Sequence, residues 1–351
     1  MQTEILIPPI PSHVPIAYST RGGHVENVFY GSIAVVDRAG RLIASVGDVD
    51  APIFTRSALK PLQALPLVAN PRFAEYALTP KEIALLCSSH NGEPIHAETA
   101  ERLLAKVGLT DAALQCGNHV PYWYKTNDVA PEPGKRWSSL FHNCSGKHSG
   151  MLLQAKLLSA ATDTYLEPDH PVQLLIRDAV AYACGEPDPV AMVWGTDGCS
   201  APNFAVSLTA LARAFSWLAR MEDDARYGSA PRQLFEAMAA HPEMVSGVGR
   251  NDLALAKAGR GDWANKVGAD GVQTLASRSR GIGIAAKVSD GNPKALMLAF
   301  CSVLEQLGML DEAARAELKA WMDVPIKSVR GIEVGRFEPN VPGVLLERRG
   351  V

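Results

Sequence analysis

Ser32-Ile33-Ala34-Val35-Val36-Asp37-Arg38-Ala39-Gly40-Arg41-Leu42-Ile43-Ala44-Ser45-Val46 sets two apolar runs on either side of a polar turn. Small and β-branched residues broken by an Asp-to-Gly turn read as an antiparallel hairpin, here over residues 27–47. A sheet therefore begins near the N-terminus. The same pattern returns late in the chain, from Trp263 onward, with Gly281 to Val288 ending in a turn at Asp290-Gly291-Asn292 and a final strand near Gly331 to Arg336. The sheet is placed at about 15–50 and 263–340.

Between these regions the apolar spacing is helical. Leu59, Leu62, Leu65 and Leu67 predict a buried helix from Ala58 to Ala69; Pro61 suits its first turn, and Pro66 should kink or end it. Further helices are predicted at Ile95–Val107, Gly146–Ala160, Pro171–Cys184 and Phe204–Arg220, with two more at 294–308 and 311–322. The helical lobe spans about 58–250. The fold class is α+β, a single catalytic unit over 1–351 in which an antiparallel sheet from both chain ends packs with a largely helical lobe. Pro131 to Arg136 is the best loop candidate.

A chain of 351 residues that is 47% hydrophobic can bury a full core. With 20% charged residues and a net charge of -3, it suits neither nucleic acid nor an anionic membrane as partner. A small polar substrate fits better. Met1 to Pro9 shows no basic region followed by an apolar run, and no stretch reaches the ~20 apolar residues of a membrane span, so the cytoplasm is the expected compartment. The six cysteines are then free thiols.

Ser57-Ala58-Leu59-Lys60 puts a hydroxyl and an amine three residues apart, on one face of a helix. A serine becomes nucleophilic when a base takes its proton, and lysine serves once desolvation or a nearby cation lowers its pKa from about 10.4. Arg56 and Lys266 are the candidate cations. Alone, the pair is better read as an N-cap serine with a surface lysine. Its companions change the balance: Ser89-His90-Asn91 and Lys266-Val267-Gly268 follow in the order of the Ser-x-x-Lys, Ser-x-Asn and Lys-Thr-Gly signatures of serine β-lactamases and penicillin-binding proteins, which they resemble. Val267 replaces the hydroxyl residue that greets a β-lactam carboxylate, so β-lactam hydrolysis is not predicted.

Asn143-Cys144-Ser145-Gly146-Lys147-His148 and Trp194-Gly195-Thr196-Asp197-Gly198-Cys199 are the other dense stretches. Cysteine and histidine with a second, distant cysteine can bind zinc, although paired C-x-x-C elements are missing. Two buried thiols beside a capped helix explain the stretches as well. Cys144 beside Lys147 is a candidate nucleophile, and His90 and His148 are candidate bases.

With these motifs, His241-Pro242-Glu243-Met244-Val245 and Lys266-Val267-Gly268-Ala269-Asp270, the chain resembles the Rhizobium etli-type L-asparaginases from about Arg21 to Asp290. The resemblance implies a serine β-lactamase-like fold, a homodimer and hydrolysis of L-asparagine. It also implies roles: Ser57 as nucleophile with Lys60; Ser89 and Lys266 as a second pair; Cys144, Lys147 and Cys199 holding zinc. Asp197 would take the substrate ammonium, with Arg56 and Asn143 beside it. The alternatives are a serine glutaminase, a β-lactam-processing hydrolase of the same fold, and a zinc-stabilised binding protein without catalysis. Gly195-Thr196-Asp197 is not read as a classical asparaginase element, since those enzymes need Gly-Gly-Thr and Gly22-Gly23 is followed by His24.

Overall fold

The computed structural model describes residues 10–342, so Met1 to Pro9 and the last residues of the chain lie outside the described residues. Strand β1 (Val14–Arg21) turns through Gly22 and Gly23 into β2 (His24–Val36). Both glycines have positive φ, 56° and 82°, where a Cβ would be strained. The expected hairpin follows: β2 runs through Asp37–Arg41 into β3 (Leu42–Val46), and Asp37 Oδ1 accepts the Ala39 and Arg41 N–H groups at 2.9 Å.

A second, small sheet was not anticipated. It orders β4 (Ile53–Phe54), β6 (Pro202–Val206) and β5 (Trp194–Thr196), all antiparallel. Residues 204–206, expected in a helix, are therefore strand. The helix begins only at Leu208, because Ser207 caps it by accepting the Ala210 N–H at 3.1 Å. A short apolar run fits either period until a cap is recognised.

The main sheet is completed by β7 (Trp263–Gly268), β8 (Val272–Ser277), β9 (Ile282–Val288), β10 (Val324–Lys327) and β11 (Glu333–Pro339). Its order is β10-β11-β1-β2-β9-β8-β7, with β3 also on β2 and every pairing antiparallel. Both ends of the chain thus share one sheet: Ala17 pairs with Pro339, and Val35 with Ile284.

Twelve α-helices occur among the described residues. In the lobe they are α1 (Lys60–Val68), α2 (Pro80–Leu86), α3 (Pro94–Ala105), α4 (Tyr122–Thr126), α5 (Ser145–Leu157) and α6 (Pro171–Cys184), then α7 (Leu208–Leu218), α8 (Ala230–Ala240), α9 (Pro242–Val245) and α10 (Asn251–Gly259). α11 (Pro293–Gln306) and α12 (Glu312–Met322) follow β9. Pro66 stands inside α1, which continues only to Val68. Alternate β2 residues enter different cores. Ala34 and Val36 join the lobe helices, whereas Ile33 and Val35 pack with α10, α11 and α12. Burial on both faces is why Ile33–Val36 reads as a continuous apolar run. No helix among the described residues is long and apolar enough to cross a membrane.

Candidate active site

Ser57 lies in a single 3-10 turn, Arg56–Leu59, that runs directly into α1. β6 anchors this turn. The Thr55 hydroxyl donates to the Phe204 carbonyl at 2.8 Å, while Asn203 accepts the Arg56 N–H and donates to the Arg56 carbonyl, both at 3.0 Å. Arg56 is thereby held at φ 51°, left-handed for a residue with a Cβ. Such strain persists where neighbours over-determine it, typically beside reactive groups. β7 presses on the same turn: a Cβ at Gly268 would lie 2.6 Å from the Thr55 carbonyl oxygen and 3.3 Å from the Ala58 nitrogen. Only glycine fits there. The Ser57 N–H has no acceptor among the described residues.

α1 carries Lys60 into the interior, where it is 1% exposed. Its Nζ donates to Ser89 Oγ at 2.9 Å and to the Ser88 carbonyl, and reaches the Cys144 sulfur at 3.2 Å and the Asn143 carbonyl at 3.4 Å. The Ser89-His90-Asn91 segment leaves α2 and is fixed by main-chain bonds, Ser89 N–H to Val245 and Asn91 N–H to Ser246, each 2.9 Å. Burial lowers the Lys60 pKa; Cys144 opposes the shift and Lys147 adds to it. The leading cation is thus Lys147, where Arg56 and Lys266 were expected.

Lys266, on β7, is fully buried and donates to the Val267 carbonyl at 2.8 Å. Burial pulls its pKa down to about 7, with Asp252 resisting. Ser89, expected to pair with Lys266, is hydrogen-bonded to Lys60 instead.

Asp197, in the turn between β5 and β6, receives Arg56 Nε at 2.8 Å, and Arg56 also binds Asp270. These three residues line a cleft of about 600 Å³ with Thr196, Asn203 and Lys287. Asn143 is not part of that cleft; its side-chain oxygen lies 3.2 Å from His119 Nε2.

Cys144 caps α5, whose first turn carries Lys147 and His148. Lys147 Nζ donates to the Cys199 sulfur at 2.8 Å. The hydrogen bond from Cys144 lowers the Cys199 pKa and, against burial, Lys147 lowers it further. Cys144 is raised by the same bond and by burial. Lys147 is raised in spite of burial, chiefly by Cys199. The cluster therefore sets two sulfurs beside the Lys147 amine, whose charge favours the thiolate form of Cys199. No group of three or more His, Cys, Asp or Glu among the described residues is arranged to hold a metal. A metal here would take the Lys147 amine as its third donor. Two sulfurs and a nitrogen suit zinc, and the buried Nε2 of His148 has no hydrogen-bond partner among the described residues.

His90 is structural: it contacts Ser145 Oγ at 2.9 Å and accepts the Gly92 N–H at 3.0 Å, and burial drives its pKa well below the ordinary value. Sequence reasoning missed Asn203, His119 and Asp252. None of them belongs to a spaced motif, so no local signal marked them.

A family model described as L-asparaginase II matches residues 17–339. No curated protein matches. Among solved structures, Mglu in its native form is 14% identical with a TM-score of 0.46, over 80% of this chain and 65% of that one. Mglu in 4.3 M NaCl is 18% identical with a TM-score of 0.38, over 80% and 62%. A β-lactamase from Mycobacterium bovis is 14% identical with a TM-score of 0.41, over 83% and 95%. The chain spans less than two thirds of these two Mglu chains. Likeness this low adds nothing to the chemistry of the site.

Proposed function

The chain belongs to the L-asparaginase II family, which makes it an amidohydrolase of the asparaginase type, and on that premise we propose that it hydrolyses the side-chain amide of L-asparagine with Ser57 as nucleophile. What supports the reading is the buried Lys60 amine one turn after Ser57, hydrogen-bonded at 2.9 Å to Ser89 Oγ and not to Ser57. Neutral Lys60 takes the Ser57 proton as the oxygen attacks the amide carbon. The Ser57 N–H is free to donate to the oxyanion. The C–N bond breaks as a proton passes to the leaving ammonia, with Ser89 placed to relay it from Lys60. Water then attacks the ester, Lys60 again accepting a proton, and L-aspartate leaves as Ser57 is reprotonated.

Asp197 would bind the substrate ammonium and Arg56 its carboxylate. Arg56 is already paired with Asp270, whose side chain is 72% exposed. The substrate carboxylate would displace that exposed partner at little cost, since surface ion pairs contribute roughly 0–1 kcal/mol.

Zinc is part of the proposal: Cys144, Lys147 and Cys199 would hold it, and when bound it supplies a fixed positive charge near the substrate groups. Lys147 must lose its proton to ligate, so occupancy should fall as the pH is lowered. Elemental analysis of protein purified without added zinc tests this, and a homodimer of a cytoplasmic enzyme, also proposed, is tested by sedimentation. The function itself is tested by ammonia release. Ser57→Ala should lower kcat for asparagine by about 10³-fold or more. Faster release from glutamine would make the enzyme a glutaminase, and no release from either amide would overturn the reading.

A further inference from the structure

Ser246, just after α9, and Lys266 on β7 turn their polar groups toward one buried carboxylate. Asp252, in the first turn of α10, is 2% exposed. Its Oδ1 accepts the Ser246 hydroxyl and lies 3.5 Å from Arg250 Nε. Its Oδ2 has no hydrogen-bond partner among the described residues and lies 3.9 Å from Lys266 Nζ. The Asp252 carbonyl accepts the Asn265 side-chain amide at 3.1 Å, tying α10 to β7 one residue before Lys266. On the other side, the Ser246 and Val245 carbonyls hold the Asn91 and Ser89 N–H groups, each at 2.9 Å. One carboxylate therefore bears on both segments that build the site. A buried carboxylate oxygen without a donor is costly unless a nearby charge compensates it.

We propose that Asp252 is a positioning residue that holds Lys266 in place and sets the pH at which Lys266 loses its proton. The proposal rests on the asparaginase reading in one respect, that Lys266 belongs to the second serine–lysine pair which the family resemblance implies. The charged and titratable groups that act most strongly on Lys266 are Asp252 and Arg250 at the start of α10, Lys60 on α1 and Cys144 at the start of α5, with Cys87 at the end of α2 also within reach. Asp252 is the only carboxylate among them. Burial lowers Lys266, Asp252 opposes that, and Lys60 and Arg250 reinforce it. Removing the Asp252 charge must therefore move the Lys266 midpoint to lower pH.

The test is a titration of the full chain labelled with ¹⁵N-lysine, the Lys266 signal being assigned by its loss in Lys266→Met. Asp252→Asn should shift the Lys266 midpoint down by about one pH unit or more, since two charges some 4 Å apart in a protein interact at least that strongly. The limb of the ammonia-release profile near pH 7 should move the same way, and Asp252→Glu should restore it. If the Asn variant does not fold, Asp252→Ser keeps a hydroxyl for Ser246 and carries the same expectation. An unmoved Lys266 midpoint in a folded variant overturns the proposal, as does a rate loss equal at every pH. The titration needs no substrate, so it stands apart from the choice of asparagine.

Discussion

Arg56 shows how much one residue does here. It carries the left-handed backbone before Ser57 and ion pairs to Asp197 and Asp270. Two substitutions separate these roles, because Arg56→Gly and Arg56→Ala both remove the guanidinium while only glycine accepts φ 51° without strain. Arg56→Gly should be more stable than Arg56→Ala by about 1 kcal/mol in urea unfolding. Equal stabilities would mean that the turn relaxes. Ser57, Lys60, Ser89 and Lys266 were legible as spaced motifs, and so were Cys144, Lys147 and Cys199. Which amine meets which hydroxyl was not, since a hydrogen bond depends on side-chain direction and not on the order of motifs.

At the scale of elements, the Ser57 turn is shaped by two strands distant in sequence. β6 holds it through Asn203, and β7 closes on it at Gly268. Gly268→Ala would place a Cβ against main-chain atoms that cannot rotate away. The expected result is a loss of about 1–3 kcal/mol in stability and, with Ser57 as the proposed nucleophile, a fall in kcat of more than about ten-fold, since small misplacements of a reacting group are heavily penalised. Full activity in this variant, measured beside its melting temperature, would show that the turn has slack. Periodicity found most helices to within a few residues, and α6 matched at both ends. It failed at β6, where the apolar run before Ser207 was too short to distinguish strand from helix.

Across the whole molecule, burial of polar groups makes stability depend on pH. His90 and His96 stack at 4.7 Å in the interior, and burial lowers both pKa values. In the unfolded chain each titrates near about 6.5. Below that pH the unfolded chain binds protons that the folded one refuses, so stability is full above about 6.5 and falls as pH drops, by up to about 1.4 kcal/mol per pH unit for each histidine. Urea midpoints at about pH 7.5 and pH 5.5 should differ accordingly, and a midpoint unchanged or higher at the lower pH would contradict the burial argument. The sequence by itself determined the α+β class, the sheet shared by both chain ends and the residue types of the site, because apolar period and motif spacing are local properties of the chain. Only the tertiary structure decided that Lys60 bonds Ser89, that Asp252 faces Lys266 and that Gly268 seats the Ser57 turn. Those are contacts between residues far apart in sequence, set by how helices and strands pack and not by any spacing along the chain.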